Sequence, residues 1–168
     1  MNGIIEMYRT VYLGLGTNLG NKLENIKNAL DALKKKFGEP ILVSSIYKSN
    51  AWGFKSPDSF LNLVVSYNIK LNPQQTLDVC LSIEKQLGRK EKTGNTYQSR
   101  IIDIDILIFG NLTINDCNLK IPHPFIKERL FVLEPLFEIC SDENILNTYC
   151  YFLTKLKNIE KVKKIKET

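Results

Sequence analysis

The chain has 168 residues, 43% hydrophobic and 24% charged, which predicts a single globular domain with a substantial core. It contains no apolar run of about 18 residues that could span a membrane, and its first residues lack a signal-peptide pattern, so we expect a cytoplasmic protein. The net charge is +5, and residues 155–168 supply most of it with six lysines and two glutamates, so charge alone does not indicate a nucleic-acid partner.

Hydrophobic periodicity and turn residues divide the chain into strands and helices. Helix caps are predicted at Asn21 and at Asn72, which precedes Pro73. The loop over 50–60 is rich in Gly, Pro, Ser and aromatic residues, and the loop over 89–99 is polar. In chain order the predicted elements are a strand over 8–15, a helix between Asn21 and Phe37, strands over 41–49 and 61–70, a helix from Pro73 to Gln86 or Leu87, a strand over 100–110, and a helix from about Pro124 to Phe137.

The order β-α-β-β-α-β predicts an α+β protein with a ferredoxin-like core, in which two helices cover one face of an antiparallel sheet. We expect one domain over 1–168, with helical or extended C-terminal elements on the other face in a three-layer α/β/α arrangement. Residues 141–168 form a lysine-rich extension. Its end, 155–168, is predicted to be a solvated helix or tail whose removal leaves activity near normal.

The stretch RIIDIDILIFG, residues 100–110, places Asp103 and Asp105 inside an apolar strand. Residues two apart on a strand share a face, so the carboxylates lie side by side, roughly 6.5–7 Å apart at the backbone. Two such charges repel each other, and a positive group must offset them. Magnesium suits the pattern, because it takes one or two carboxylates and keeps other positions for water and phosphates. The alternative is that the two carboxylates are exposed at a sheet edge or paired with lysines. The residues predicted to point to the core instead are Ile102, Ile104, Ile106 and Ile108.

Basic residues surround the acidic strand in the sequence. Arg89 and Arg100 flank the loop that leads into it, and His123 and Arg129 follow it. Arginine binds phosphate with two parallel hydrogen bonds and stays charged, so this set suits a polyphosphate carried on a metal ion. Ordinary surface ion pairing is the alternative for any one arginine, and a structural role is the alternative for the histidine.

Six motifs follow one another along about residues 8–140: LGLGTNLGN, SSIYKSNAWG, FLNLVV, IEKQLGR, RIIDIDILIFG and IPHPFIKERLFVLEPLFEI. Together they resemble the 6-hydroxymethyl-7,8-dihydropterin pyrophosphokinase family of folate biosynthesis. The resemblance implies a ferredoxin-like α/β core and transfer of the β,γ-pyrophosphoryl group of ATP to the pterin hydroxymethyl oxygen, with release of AMP. We therefore expect a monomeric enzyme that binds ATP and the pterin, with no membrane or nucleic-acid partner.

The resemblance assigns the acidic strand and its basic neighbours to ATP and catalysis. Asp103 and Asp105 would hold two magnesium ions that bridge the ATP phosphates. They would act together with basic residues that contact ATP or the transferred phosphates. These are Arg89, Arg100, His123 and Arg129, of which the first two would also be catalytic.

The resemblance assigns the pterin to a second group. Phe60 and Phe131 would sandwich the ring, since a flat, electron-poor ring binds well between aromatic faces. Asn62 would read the ring's amide edge, because an amide side chain both donates and accepts hydrogen bonds. Trp52 would be either a lid residue or a loop anchor. The backbone of 49–53 would also face the pterin, and its site residues are Ser49, Asn50, Trp52 and Gly53.

The loop before the acidic strand departs from the family pattern. The family usually has Trp-Gly-Pro-Arg where residues 97–100 read YQSR, and Tyr97 would pack over a ligand as the tryptophan does. An arginine usual two residues beyond Arg89 is Glu91 here. Lys92 is expected to substitute for it in part in ATP binding.

Two polar residues support the site in our interpretation. GLGTNLG fits neither the dinucleotide fingerprint nor the P-loop, so we expect a tight turn in which Asn18 bonds nearby backbone. Glu84 falls on an apolar helix stripe. It either extends to solvent near the helix end or supports the active site from behind, because a buried acid needs a partner.

The four cysteines contain no CxxC pair and the chain has one histidine, which argues against a structural zinc site. In a chain without an export signal we expect free, buried thiols. They are Cys80, Cys117, Cys140 and Cys150.

Two other function classes compete with the kinase interpretation. An RNA-binding module would carry aromatic and basic sheet motifs of the RNP type, and the sequence has none. A regulatory metal-binding domain without catalysis would leave Phe60, Asn62 and Phe131 unexplained.

Overall fold

The structure is a computed structural model, and it describes residues 8–53, 57–88 and 99–165. A short 3-10 helix spans Ile126–Glu128. The other described elements, in chain order, are β1 (Arg9–Thr17), α1 (Lys22–Phe37), β2 (Leu42–Val43), β3 (Ile46–Ser49), β4 (Phe60–Ile69), α2 (Pro73–Gln86), β5 (Asp103–Phe109), β6 (Ile114–Asn115), β7 (Lys120–Ile121), α3 (Leu130–Ile139), α4 (Glu143–Lys157) and β8 (Lys163–Ile165).

The main sheet of the described chain has the strand order β5-β1-β4-β3-β8, and β2 pairs with β4 beside β3. All of these pairings are antiparallel. The strand β1 therefore lies between β4 and the edge strand β5. The predicted α+β class and the βαββαβ core are confirmed.

The sheet separates two hydrophobic cores. One contains Ile26 and Leu33 of α1 and Ile83 of α2, packed on one face of the sheet. The other contains Leu133 of α3 and Tyr149 of α4, packed on the opposite face. The predicted three-layer arrangement is confirmed.

Local signals place the starts of α1 and α2 correctly. The side chain of Asn21 accepts a hydrogen bond from the backbone N–H of Glu24 at 3.3 Å. Asn72 accepts from the N–H of Gln75 at 2.9 Å, and the Gln75 side chain accepts in return from the N–H of Asn72 at 3.0 Å. Each cap satisfies N–H groups that a helix start leaves without helical partners.

The predicted strand over 41–49 is wrong in one respect, because it is broken into β2 and β3. Ser44 and Ser45 separate the two. The Ser44 hydroxyl accepts a hydrogen bond from the N–H of Val64 at 2.9 Å, and the Ser45 hydroxyl donates to Glu138 at 2.7 Å. The Ser44 bond to a backbone N–H competes with the strand ladder in this way.

The acidic strand begins at Asp103 instead of residue 100, and its register with β1 shifts between Tyr12 and Leu13. A bulge of this kind reverses which face the following residues occupy. The prediction for Ile108 is therefore wrong, because it packs with Tyr12 and Leu107 in the α3–α4 core. The prediction is confirmed for three residues that pack in the α1–α2 core: Ile102, Ile104 and Ile106.

The helix predicted from Pro124 to Phe137 is wrong at its start. The 3-10 helix ends before Arg129, whose backbone is extended (φ −123°, ψ 98°), and α3 begins only at Leu130. Arg129 is thus the residue between the 3-10 helix and α3, and its side chain can enter the space beside the first turn of α3.

The lysine-rich C-terminus is more ordered than a solvated tail. Asp142 caps α4 through the N–H groups of Asn144 and Ile145, and Leu156 near the helix end is buried. Residues 163–165 form a strand, whereas the sequence predicted only a helix or tail for this segment. Deleting residues 155–168 would remove the buried Leu156 and the strand at 163–165. The structure therefore does not favour the expectation that this deletion leaves activity near normal.

The cysteine prediction is partly wrong. All four cysteines are free, but only Cys80 and Cys140 are buried, whereas Cys117 and Cys150 are exposed. Among the described helices, none is both long and apolar enough to cross a membrane.

Candidate functional site

A pocket with about 670 Å³ of open space lies on the α3–α4 side of the sheet, beside the first turn of α3. The end of β1 forms its floor, and β3, β4, β5 and α3 contribute its walls. The structure thus brings most of the predicted site residues together from distant parts of the chain. Those that line the pocket are Ser49, Asn50, Trp52, Phe60, Asn62, Arg100, Asp103, Asp105, Arg129 and Phe131.

Some predicted residues lie elsewhere. Gly53 is exposed and is not part of the pocket lining, so its role toward the pterin stays a prediction. His123, Asn18 and Glu84 are not in this lining and are connected to it through the contacts described below. The predicted residues that fall outside the described parts of the chain are Arg89, Lys92 and Tyr97.

Two glycines of β1 form the pocket floor, and the sequence analysis missed them. Gly16 pairs with both Asn62 and Asp103 in the sheet register. A Cβ atom at Gly16 would come within 3.2 Å of the Asn62 Oδ1. At Gly14 a Cβ would come within 3.3 Å of the Leu107 side chain. Because these glycines have no side chains, the space above β1 stays open to a ligand. The alternation Gly-Leu-Gly in the sequence could have indicated this open surface.

The two aspartates are offset by arginines. The Arg100 Nη1 lies 2.5 Å from the Asp103 Oδ2, and the Arg129 Nη1 lies 3.7 Å from the Asp105 Oδ2. Burial lowers the pKa of Arg100, but Asp103 outweighs it, so the net pKa is raised and the guanidinium stays charged. These arginines therefore supply positive charge next to the two aspartates. The alternative predicted from the sequence was pairing with lysines.

The donor set of Asp103 and Asp105 fits a magnesium ion. Their carboxylates share one strand face and are 21% and 35% exposed, so their oxygen atoms can reach the pocket. No group of three or more potential metal-ligating His, Cys, Asp or Glu side chains occurs in the described ranges. Two carboxylates without further protein ligands suit Mg²⁺, which usually keeps several waters or phosphate oxygens.

His123 presents a neutral donor to this acidic strand. Its Nδ1 accepts a hydrogen bond from the N–H of Phe125 at 3.2 Å, which places the proton on Nε2. The Nε2 lies 3.9 Å from the Asp105 Oδ2. Burial, together with the nearby Arg129, lowers the pKa of His123 to about 4. The side chain is therefore suited to donate one hydrogen bond, and it does not add a full positive charge.

Arg129 lies among three aromatic rings. Its guanidinium carbon is 4.6 Å from the ring centre of Trp52, 5.1 Å from that of Phe125 and 5.8 Å from that of Phe131. Cation–π attraction favours such positions. Trp52 also contacts Phe125, at 5.5 Å between ring centres, which connects its loop to the turn before α3. Phe125 was missed by the sequence analysis, because its position depends on the turn before α3.

Asn62 is buried and held in one orientation. Its Nδ2 donates to the Ser49 hydroxyl at 3.0 Å and to the Tyr47 carbonyl at 3.4 Å. These contacts place its Oδ1 toward Gly16 and the pocket floor. The side chain therefore offers an acceptor to a bound molecule, with an orientation fixed by β3.

Asn18 connects the turn after β1 to the start of the acidic strand. Its Oδ1 accepts from the N–H of Arg100 at 2.8 Å, and its Nδ2 donates to the Ser99 hydroxyl at 2.9 Å. The expected bonds to nearby backbone are wrong, since these partners are 81 and 82 residues away. The contact fixes the backbone that carries Arg100.

Glu84 supports the acidic strand from behind. Its Oε1 accepts a hydrogen bond from the N–H of Ile104 at 2.7 Å, between the two aspartates. The residue is only 2% exposed, so the alternative in which it extends to solvent is wrong. β5 is the edge strand of the sheet, and edge strands carry N–H groups that need partners outside the ladder.

Replacing Glu84 by alanine should lower the free energy of unfolding by about 1–3 kcal/mol, because it leaves the buried N–H of Ile104 without its acceptor. Glu84→Gln keeps an amide oxygen at this position and should lose less. Urea unfolding of both variants measures the difference. Equal losses would show that the hydrogen bond to Ile104 is not what Glu84 contributes.

The sequence of the chain is similar to those of known pterin pyrophosphokinases. The model of the 7,8-dihydro-6-hydroxymethylpterin-pyrophosphokinase family matches residues 12–141. A 2-amino-4-hydroxy-6-hydroxymethyldihydropteridine pyrophosphokinase of Aquifex aeolicus is 42% identical over 130 residues, covering 77% of this chain and 79% of that protein. The Bacillus subtilis protein of the same name is 36% identical over 136 residues and 80% of each chain.

Solved structures show the same fold at lower identity. Wild-type Plasmodium falciparum HPPK-DHPS with pteroate matches with a TM-score of 0.67 and 17% identity. The match covers 94% of this chain and 48% of that one, so the chain spans about half the length of this neighbour.

Proposed function

We infer the function of this pocket from its family: the chain belongs to the 7,8-dihydro-6-hydroxymethylpterin-pyrophosphokinase family. It transfers pyrophosphate from ATP to 6-hydroxymethyl-7,8-dihydropterin in folate biosynthesis. The observation that supports the assignment is the convergence on one pocket of an acidic pair, two arginines, an amide and aromatic side chains. This combination suits a polyphosphate and a flat heterocycle bound next to each other.

The reaction exchanges one phosphorus–oxygen bond for another. The hydroxymethyl oxygen of the pterin bonds to the β-phosphorus of ATP, and the bond from that phosphorus to the oxygen bridging to the α-phosphate breaks. AMP leaves with that bridging oxygen, and the hydroxyl proton is released. Holding both substrates in line within one pocket supplies much of the rate enhancement of such a transfer.

We assign the pterin to the floor and the α3 side of the pocket. Phe60 and Phe131 line it from β4 and α3 and would stack on the two faces of the ring. The Asn62 Oδ1 would accept a hydrogen bond from a ring N–H, in the orientation that Ser49 imposes. Gly16 leaves the ring room to reach that oxygen.

We assign the triphosphate to the acidic strand and its neighbours. Asp103 and Asp105 would hold Mg²⁺, which when bound neutralises charge on the phosphates and polarises the bridging oxygen. Arg100 and Arg129 would bind phosphate oxygens, and the two guanidinium groups already lie against these carboxylates. His123 would donate its Nε2 proton to a phosphate oxygen.

Release of AMP tests the proposal. Purified protein, ATP, Mg²⁺ and 6-hydroxymethyl-7,8-dihydropterin should yield AMP and the pterin diphosphate in equal amounts, detected by chromatography. Omitting the pterin should abolish AMP formation, and chelating the metal should do the same. Formation of ADP in place of AMP would assign the protein to simple phosphate transfer and overturn the proposal.

Replacing Gly16 by alanine should raise the KM for the pterin about tenfold and leave the KM for ATP within about twofold, because the new methyl group meets the Asn62 Oδ1 at 3.2 Å. Steady-state kinetics with each substrate varied in turn measures both constants. Gly14→Ala is the comparison at the other floor glycine: its Cβ meets the buried Leu107 side chain instead of Asn62, so the pterin KM should rise less. An unchanged pterin KM in Gly16→Ala would contradict this placement of the ring.

We also propose that the enzyme acts as a monomer, because one chain supplies every wall of the pocket in the described residues. Analytical ultracentrifugation at assay concentration should give the mass of one chain, 19.3 kDa. A stable dimer at that concentration would contradict the proposal.

A further inference from the structure

Glu138 near the end of α3 binds three donors, two of them in or next to β3 and one in β8. Its Oε1 accepts from the Ser45 hydroxyl at 2.7 Å and from the Lys164 Nζ at 3.0 Å. Its Oε2 accepts from the Tyr47 hydroxyl at 2.8 Å. Burial raises the pKa of Glu138, but hydrogen bonds from Ser45, Lys164 and Tyr47 outweigh it and lower the pKa to about 2. The carboxylate is therefore charged and connects α3 to β3 and β8.

The strand that Glu138 holds also fixes the orientation of Asn62. Tyr47 pairs with Asn62 in the register of β3 and β4. The Asn62 Nδ2 donates to the Tyr47 carbonyl and, at 3.0 Å, to the Ser49 hydroxyl. A shift of β3 would therefore move both acceptors that orient the amide in the pocket.

The helix α3, which carries Glu138, forms part of the pocket wall. Phe131 and Val132 in the first turn of α3 line the pocket, and α3 runs from Leu130 to Ile139 as one helix. The Glu138 contacts thus link α3 to the β3 region, and both elements contribute to the pocket lining, Phe131 from α3 and Ser49 from β3.

The C-terminal strand β8 completes this arrangement from beyond the family match, which ends at residue 141. Lys164 pairs with Tyr47 in the sheet and reaches Glu138 with its side chain. Ile165 pairs with Ile46 and packs against the α1–α2 core. β8 thereby covers the outer edge of β3, which would otherwise present open N–H and C=O groups.

We propose that Glu138 and Lys164 are positioning residues for the pterin: through them the C-terminal strand holds β3 and α3 at the spacing that the ring requires. This inference rests on the proposed function. It assigns to the C-terminal extension a role in binding one substrate, and ATP binding at the acidic strand lies outside that role.

Kinetics of paired lysine variants tests the inference. Lys164→Ala should raise the KM for the pterin about threefold to fivefold, the size of effect expected for one partly exposed ion pair. The KM for ATP and kcat should stay within about twofold of wild type. Lys163→Ala is the matched control, because Lys163 is its exposed neighbour on the same strand. Lys164→Arg should restore the wild-type pterin KM. Glu138→Ala should raise the pterin KM further, because it also removes the acceptor of Ser45 and Tyr47.

Hydrogen exchange provides a second readout that does not depend on activity. Amides of residues 46–49 should exchange faster in Lys164→Ala than in Lys163→Ala, with a smaller change in β5. Equal pterin KM values and equal exchange in the two variants would overturn the inference. A uniform rise of both KM values with a fall in kcat would also overturn it, since that marks general destabilisation. If wild type released no AMP, the proposed function would fail, and the exchange comparison would still decide whether Lys164 holds β3.

Discussion

Replacing Asp103 or Asp105 by asparagine should lower kcat for AMP release by about a thousandfold, the loss of roughly 4 kcal/mol of transition-state stabilisation. Each change removes one negative charge from the proposed magnesium site while keeping the shape of the side chain. The charge left on the neighbouring aspartate cannot hold the metal and the phosphates in the same geometry.

The same variants should fold normally. Arg100 lies against Asp103 and Arg129 against Asp105, so the repulsion relieved by each substitution is balanced by the loss of an ion pair. Melting temperatures should therefore stay within about 3 °C of wild type. Asp116→Asn, at an exposed aspartate in the segment that joins β6 to β7, is the matched control and should retain full activity.

Two measurements together decide the metal assignment. Steady-state AMP release gives kcat, and calorimetric titration with ATP in the presence and absence of Mg²⁺ shows whether the metal strengthens nucleotide binding. Wild type should show this dependence on Mg²⁺, and both variants should lose most of it. Activity near wild type in either variant would remove these carboxylates from the metal site.

Phe131→Ala should raise the KM for the pterin about 30-fold, because one of the two aromatic faces that stack on the ring is lost. The KM for ATP should change by no more than about twofold. Steady-state kinetics, or fluorescence titration with the pterin in the presence of an unreactive ATP analogue, measures the effect. Phe131 also lies near the Arg129 guanidinium, so Phe131→Leu, which retains apolar bulk, separates loss of stacking from loss of packing.

The matched control for this prediction is Phe152→Ala. Phe152 packs against the same α3–α4 core from α4, away from the pocket lining. Its replacement should lower stability and leave the pterin KM unchanged. Equal losses of pterin and ATP affinity in Phe131→Ala would contradict the stacking role.

The sequence determined the features that depend on neighbours along the chain. The helices after Asn21 and Asn72 begin where their caps predict, because a cap bonds to N–H groups two or three residues away. The shared face of Asp103 and Asp105 follows from the two-residue period of a strand. The family motifs added the list of residues around them, and the described pocket brings eight of these together with the two aspartates.

The roles assigned to the site residues, the magnesium ions and the monomeric state stay predictions. The contributions of Arg89, Lys92 and Tyr97 concern residues outside the described ranges. The cytoplasmic location and the lid role of Trp52 also remain predictions.

Only the tertiary structure decided how distant segments meet. The bulge that turns Ile108 to the other core depends on the register of β5 against β1, and strand register is set by pairing across the sheet. The partner of Asn18 is Arg100 just before β5, 82 residues later, and that of Glu84 is Ile104 within β5, 20 residues later. The strand at 163–165 needs the open edge of β3, which no local pattern of lysines reveals. Local hydrogen bonds and periodicity can be read from a sequence one segment at a time, whereas these contacts exist only once several segments have packed together.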